Sequence, residues 1–316
     1  MSLAIRPVPV SLHPVRVFGA AVSEVRDLGP HFRRITFAGP QLARFGVPGP
    51  TRDLRIKLLL PSPGHAPSEP GPLFLPGGPD GTLHAGWYQD WLRRDLPGRG
   101  HIRSYTVRAL RQAGAAREID VDVVLRARDG TPAGPGSSWA AAAVVGQPVW
   151  FVGPDAEAIT PATPLPEAGI NWRPGTAGRV LLAGDETATP AICSILESVP
   201  AHVRGHAFLE VPAAMDIQPL STPGRIQVTW LHRGGGPVRG ERLVGAVRQA
   251  LQQAIADGGR PPGYAWVGAE AATVRTLRRV MSGFGVDTRN GEFRGYWSEG
   301  RAGSGVNGTP VAPERR

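Results

Sequence analysis

A change of rhythm near the middle limits what this chain can fold into. Residues 14–153 break into short β-branched runs separated by Gly- and Pro-rich turns. The runs are VRVFGAAVSEVRDLG, HFRRITFAG, LRIKLLL, IRSYTVRAL, EIDVDVVLR and PVWFVG. In EIDVDVVLR, Ile119, Val121, Val123 and Leu125 share one face and Glu118, Asp120 and Asp122 the other, the period of a strand. Helical patterns in this half occur only at 85–96 and 137–145. Six such strands with a helix before the last predict a closed antiparallel barrel. From residue 179 onward, apolar runs (RVLLAGD, GHAFLEV, IQVTWLHR, YAWVGAE, EFRGYWSEG) alternate with helical segments such as ERLVGAVRQALQQAIAD, in which Leu243, Val247, Leu251 and Ile255 recur at i, i+4. Strand–helix alternation predicts a parallel sheet covered on both faces. The fold class expected is therefore β followed by α/β in two domains. The boundaries are a barrel at 14–155, a Pro-rich linker at 156–178, an α/β domain at 179–303 and a flexible tail at 304–316.

Charge narrows the partners. The net charge is +9, and Lys57 is the only lysine, so the excess is arginine. The arginines are scattered, without the basic run or aromatic interleaving of a nucleic-acid surface. They suit small anionic ligands. Cys193 is the single cysteine, which excludes an intrachain disulfide and a cysteine-ligated iron–sulfur cluster within one chain. It reads as a buried helix position. No apolar run approaches the roughly 18 residues of a membrane span. The first residues, MSLAIRPVPVSLHP, are broken by prolines and lack the apolar core of a signal peptide. A cytoplasmic, reducing location is expected, with no nucleic acid and no membrane insertion.

One strand carries an unusual polar load. In HIRSYTVR (101–108), Arg103 and Tyr105 share a face by strand alternation, with Thr106 and Arg108 opposite. A guanidinium beside an aromatic ring suits a flat ring joined to a phosphate: the ring stacks and the phosphate takes a bidentate bond. The alternative is an Arg–Tyr packing pair on a solvated face. Downstream, AGPGSSWA (133–140) is a glycine-rich turn opening a helix at Ser137 or Ser138, whose free N–H groups and dipole favour a phosphate. LLAGDETATPAI occupies the βα turn where a dinucleotide would bind, but it is not Gly-x-Gly-x-x-Gly. After Gly184 come Asp185, Glu186 and Thr187. The acids either complement the helix dipole, or they order a loop whose Thr187 and backbone N–H groups meet a cofactor. The histidines make no metal site: His202 and His206 are four apart, but Gly205 and the following strand argue against one helical face. Asp53 reads as a turn or ion-pair residue.

A barrel followed by an α/β domain is the order of flavin reductases of the ferredoxin–NADP reductase type, which carry an Arg-x-Tyr-Ser/Thr segment on a barrel strand. The segments GWYQDWLRRDLPGRGHIRSYTVR, VDVVLRARDGTPAGPGSSWA, LLAGDETATPAI, YAWVGAEAATVRTLRRVM and RGYWSEGRAG together resemble the siderophore-interacting protein family, over about residues 14–303. That resemblance implies an FAD-dependent ferric-siderophore reductase, with FAD on the barrel and NADPH or NADH on the α/β domain. It implies that Tyr105 stacks on the isoalloxazine, Arg103 pairs with the pyrophosphate, and Thr106 bonds near the flavin N5, with Ser104 and Arg108 close by. It extends the FAD site to Ala133, Gly134, Ser137, Ser138 and Trp139, with Trp297 near the flavin. The family usually has a histidine where this chain has Arg126, which is then a phosphate cation. Asp185, Glu186 and Thr187 fall to the nicotinamide cofactor. So do Arg233 and Arg239, which flank a glycine turn past a strand end and could clamp a 2′-phosphate, favouring NADPH. The alternative for Arg233 is pairing with Glu210 on the adjacent strand. Lys57 and Arg301 are the substrate-side cations for an anionic ferric siderophore. Electron transfer through a flavin needs no catalytic acid or base, and no metal ligand set is expected. Rival readings are a general NAD(P)H- or ferredoxin-linked flavin reductase and a siderophore carrier without turnover.

Overall fold

The computed structural model describes residues 14–62, 73–113, 116–128, 131–235 and 238–299. Arg301 lies outside them. The N-terminal half comprises β1 (Val15–Gly29), β2 (Phe32–Ala38), β3 (Arg55–Leu60), α1 (Trp87–Leu92), α2 (Leu96–Arg99), β4 (His101–Thr106), β5 (Ala109–Ala113), β6 (Ala116–Val124), a small β7–β8 hairpin (Ala127–Arg128 and Thr131–Pro132), α3 (Pro135–Ala142) and β9 (Pro148–Pro154). Its main sheet has seven antiparallel strands in the order β4-β3-β9-β1-β2-β6-β5.

The count is seven where six were expected, because the 102–110 run is two strands. The edge strands β4 and β5 are consecutive in the chain and joined by Val107 and Arg108 alone. The Val107 N–H donates to Leu54 O on one side (2.8 Å) and the Arg108 N–H to Asp120 O on the other (2.8 Å). The chain thus steps from one sheet edge to the other and curls the sheet on itself. Inside lies a dry core of Phe18, Phe37, Phe45 and Phe151, with Phe18 stacked on Phe151 at 5.5 Å and Phe45 edge-on to both. On β6 the acidic face is buried rather than solvated. Asp122 takes a bidentate bond from its cross-strand partner Arg34 (2.6 and 2.8 Å), and Asp120 accepts from Thr36 Oγ1 (2.7 Å) and Arg111. Directly opposed residues in an antiparallel pair share a face, so the charges meet.

The C-terminal half comprises β10 (Arg179–Gly184), α4 (Thr189–Leu196), β11 (Arg204–Val211), β12 (Arg225–His232), α5 (Glu241–Ala256), β13 (Tyr264–Glu270), α6 (Ala271–Gly283) and β14 (Gly291–Trp297). Five parallel strands run in the order β12-β11-β10-β13-β14. The α5 and α6 stripes Leu243, Val247, Leu251 and Val274, Leu277, Met281 pack on one face of the sheet against Leu181, Ala183, Ala265 and Val267. On the other face α4, with Ile192, Ile195 and Leu196, joins a core continuous with the barrel's. Cys193 is buried there, and burial pushes its thiol up to about 12.

The segment between β9 and β10 has no regular element, but it is not loose: Ala168, Ile170 and Trp172 are buried. Asp53, 3 % exposed, accepts from the Asn171 N–H (3.2 Å), the Trp172 N–H (3.0 Å) and Trp266 Nε1 (3.0 Å). It is a buried joint between barrel, connector and α/β domain rather than a turn residue. Burial raises its pKa while those donors oppose the rise.

Candidate functional site

The barrel edge at β4 and α3 faces the carboxyl ends of the parallel strands. On β4, Arg103 is half-buried and donates to Ile102 O (2.8 Å), with no carboxylate partner among the described residues. Burial lowers its pKa. Burial pushes the Tyr105 hydroxyl up to about 12, against the pull of the nearby Arg103 and Arg126 guanidiniums. Tyr105 Oη sits against the first turn of α3, where a Cβ on Gly136 would collide with it. Gly136 is a residue that the sequence reading missed. Only a contact across two distant segments reveals why a glycine stands there. Thr106 is buried and Ser104 exposed.

Arg126, at the end of β6, lies 3.9 Å over the Trp297 ring and keeps a buried Nη2 with no hydrogen-bond partner. Burial lowers its pKa, against the pull of Glu186 and Asp185. Gly134 at the start of α3 has φ 85°, a left-handed conformation that glycine adopts freely, and open space where a Cβ would be. The Ala133 N–H donates to Arg126 O (2.7 Å). The seryl side chains of α3 serve the fold. Ser137 Oγ accepts from the Arg126 N–H (2.6 Å) and donates to Arg126 O (3.0 Å), and Ser138 Oγ donates to Pro132 O (3.3 Å). Trp139 points into the barrel core, edge-on to Phe37.

Arg108 departs from the expected cofactor cluster. It leaves the strand at the edge-to-edge step and grips Glu197, past the end of α4, through two bonds of 2.7 and 2.5 Å. It ties the two domains together.

The strand ends of the α/β domain are unusually acidic. Asp185, 1 % exposed, accepts from the Thr187 N–H (2.9 Å), Thr187 Oγ1 (2.5 Å), the Glu270 N–H (2.9 Å) and Trp297 Nε1 (2.8 Å). Burial, then the neighbouring Glu186, pushes its pKa up to about 6. Glu186 is equally buried, but Arg233 and Arg239 outweigh that and hold it below the usual carboxylate range. Arg233 donates to Glu186 (2.8 Å) and Glu210 (3.0 Å), and Arg239 pairs with Glu186 and lies 5.0 Å over Trp297. The expected 2′-phosphate clamp is therefore corrected: Arg233 is 8 % exposed and committed to two carboxylates. Asp185 orders the turn ahead of α4 by holding Thr187, which turns inward to it, while Glu186 is taken up by Arg233 and Arg239.

A third cluster lies along β3. Lys57 Nζ sits 4.8 Å over the Tyr88 ring. Burial, with Arg55 and Arg294 nearby, lowers its pKa to about 8. Arg55 has no carboxylate partner among the described residues, and Arg294 pairs with Glu292 (2.7 Å) and donates to Asn171 Oδ1 (3.3 Å). Arg55 and Arg294 were not singled out in the sequence, since β3 and β14 are more than 200 residues apart.

An antiparallel barrel followed by a parallel α/β domain defines the ferredoxin reductase-like flavoprotein class. The ferredoxin reductase in carbazole 1,9a-dioxygenase shares the fold, at a TM-score of 0.52 and 15 % identity over 90 % of this chain and 70 % of its own. The Siderophore-interacting FAD-binding domain matches residues 21–158, and Siderophore-interacting protein matches residues 177–300. The chain belongs to the siderophore-interacting protein family. A siderophore utilization protein from T. fusca superposes with a TM-score of 0.65 at 28 % identity, covering 92 % of this chain and 95 % of that one. Uncharacterized protein Rv2895c of Mycobacterium tuberculosis is 33 % identical over 288 residues, 89 % of each chain. Ferric vibriobactin reductase ViuB of Vibrio cholerae is 31 % identical over 179 residues, 57 % of each. No helix among the described residues is long and apolar enough to cross a membrane.

Proposed function

We propose that the chain is a ferric-siderophore reductase that works through FAD and a reduced nicotinamide donor. The observation that carries this reading is the pair of guanidiniums near Tyr105. Arg103 lacks a carboxylate partner among the described residues, and Arg126 keeps a buried Nη2 without an acceptor. A buried cationic donor without an acceptor, as Arg126 Nη2 is, is costly. A pyrophosphate supplies the acceptors, in the bidentate geometry that guanidinium favours. The open, glycine-lined start of α3 admits a phosphate close to the backbone. These residues fit FAD, and the family match points to the same cofactor.

A bound flavin would supply the redox chemistry that couples a two-electron hydride donor to one-electron reduction of two chelated Fe(III) ions. The rest is positioning by the chain. Arg103 and Arg126 would hold the pyrophosphate, Gly136 leaves room for Tyr105, whose ring would stack on the isoalloxazine, and Thr106 would bond near its reactive edge. Trp297, pinned by Asp185 and stacked with Arg126 and Arg239, shields the flavin from water. Lys57, Arg55 and Arg294 attract a ferric siderophore, which is anionic when its ligands are catecholates. ViuB's name as a ferric vibriobactin reductase supports that substrate class.

The test is the visible spectrum of the purified protein. Flavin bands should bleach anaerobically with a reduced nicotinamide and return on adding a ferric siderophore, with Fe(II) trapped by a colour-forming chelator. A colourless protein that takes up no FAD would make it a carrier. Reduction of free flavin without any reaction with ferric chelates would make it a general flavin reductase.

A further inference from the structure

The crest of the parallel sheet is where an α/β domain ordinarily offers helix N-termini to a dinucleotide's phosphates. Here the chain's own carboxylates fill it. Gly184, the last residue of β10, is level with Leu209 on β11 and Gly268 on β13. Asp185 and Glu210 are therefore level, and Glu270 lies one residue further along β13, at the ends of three adjacent strands. Asp185 takes the Thr187 N–H, and its own carbonyl takes the Ala188 and Thr189 N–H groups (3.0 and 3.1 Å), closing the start of α4. Glu210, fully buried on β11, accepts from the Gly240 N–H (2.9 Å) and the Leu243 N–H (3.1 Å) at the start of α5. Glu270 caps α6 through the Ala272 and Thr273 N–H groups and donates its own N–H to Asp185. Carboxylates thus take N–H groups at the starts of α5 and α6, and at α4 the Asp185 carbonyl takes the first two while its carboxylate holds Thr187 just ahead of the helix.

The side chains tell the same story. Glu186 and Glu210 occupy Arg233, and Glu186 also holds Arg239. Gly184 is a glycine for packing: a Cβ there would lie 2.7 Å from both Ala188 Cβ and Ile192 Cδ1. It is not there to let a phosphate approach. The N–H groups and guanidiniums that a pyrophosphate would need at this crest are already bonded to the chain's own buried carboxylates. An anionic ligand gains there only by displacing those carboxylates, and like charges brought together in a partly dry cleft oppose its binding.

We propose that Asp185, Glu186, Glu210 and Glu270 set the donor specificity of this reductase: they deny the helix N-termini to the donor's phosphates, so a dihydronicotinamide is accepted without benefit from its adenylate half. This rests on the reductase reading above. It also implies no preference between NADPH and NADH, since the 2′-phosphate has no cation reserved for it at this crest.

The experiment compares NADPH, NADH and reduced nicotinamide mononucleotide as donors in anaerobic flavin reduction. It is paired with calorimetric binding of NADP⁺ and nicotinamide mononucleotide to the FAD-loaded protein. The expected result is kcat/KM values within about tenfold of one another, and binding constants equally close, because the adenylate phosphates gain no charge-assisted bonds. A dinucleotide preference of about a hundredfold or more, in rate or in binding, overturns the proposal. In Glu186→Gln, Arg233 loses one of its two carboxylate partners and Arg239 loses its partner Glu186, and the preference for NADPH over the mononucleotide should rise about tenfold. An unchanged ratio in a folded, FAD-loaded variant counts against the proposal, and the wild-type comparison stands if the variant does not fold. Dithionite-reduced protein mixed with a ferric siderophore separates the two failures. No electron transfer there sinks the reductase reading itself. Transfer there, with a strong dinucleotide preference, sinks only the assignment of the carboxylates.

Discussion

Placing a methyl group at Gly136 tests the flavin site through one contact. A Cβ built there collides with Tyr105 Oη, while the next atoms, Tyr105 Cζ and Arg103 Cγ, lie at 3.3 and 3.9 Å. Gly136→Ala therefore forces the Tyr105 ring to move or α3 to shift. Overpacking of this kind costs about 1–3 kcal/mol. If the ring swings, its stacking on the isoalloxazine, about 0.5–1.5 kcal/mol, is lost as well. The FAD dissociation constant of Gly136→Ala, measured by flavin fluorescence quenching on apoprotein, should rise about tenfold or more. Tyr105→Phe alone should bind FAD nearly as the wild type does, because the ring face is kept. The double variant Gly136→Ala/Tyr105→Phe should regain most of the loss, since removing Oη leaves only the 3.3 Å approach of Cζ, which a few tenths of an ångström relieve. The diagnostic quantity is a favourable coupling of about 1 kcal/mol or more in that cycle. Wild-type affinity in Gly136→Ala, or a double variant no better than the single, would refute the placement of Tyr105 against the flavin.

Other expectations follow from separate parts of the molecule. Arg108→Ala should cost about 1 kcal/mol in urea unfolding by breaking the pair with Glu197, a partly exposed salt bridge, and should leave FAD retention unchanged. Loss of flavin in that variant would return Arg108 to the cofactor site. Because burial, with Arg55 and Arg294 nearby, lowers the Lys57 pKa to about 8, its ammonium should be present at pH 7 and lost as the pH rises to 9. The KM for an anionic ferric siderophore should rise across that window, and Lys57→Ala should flatten the profile while leaving reduction of a neutral acceptor little changed. Asp53→Asn turns an acceptor of three N–H groups into one that sets its own N–H₂ against them, and should cost about 2 kcal/mol of stability. An unaltered unfolding midpoint would mean that the joint between connector and domains carries no load.

The order of runs along the chain determined the architecture: alternation with a period of two, then strand–helix repetition, leaves few ways to bury the apolar faces. It also singled out the segment proposed for the flavin, because Arg103 and Tyr105 are close in sequence and their chemistry is legible from their type. The seventh strand was hidden, since only the sheet's curl decides that Val107 and Arg108 pass between its edges. The roles of the long-range cations were hidden for a similar reason. Whether Arg233 meets a phosphate or a carboxylate depends on Glu186 and Glu210, which lie on other strands and reach it only when the parallel sheet aligns their ends. Arg108, read as a cofactor residue, is claimed by Glu197, 89 residues away. A guanidinium's identity states what it can bind, but the partner is chosen by whichever carboxylate the fold brings within hydrogen-bond range and out of water. That choice, made separately for Arg103, Arg108, Arg126 and Arg233, belongs to the tertiary structure.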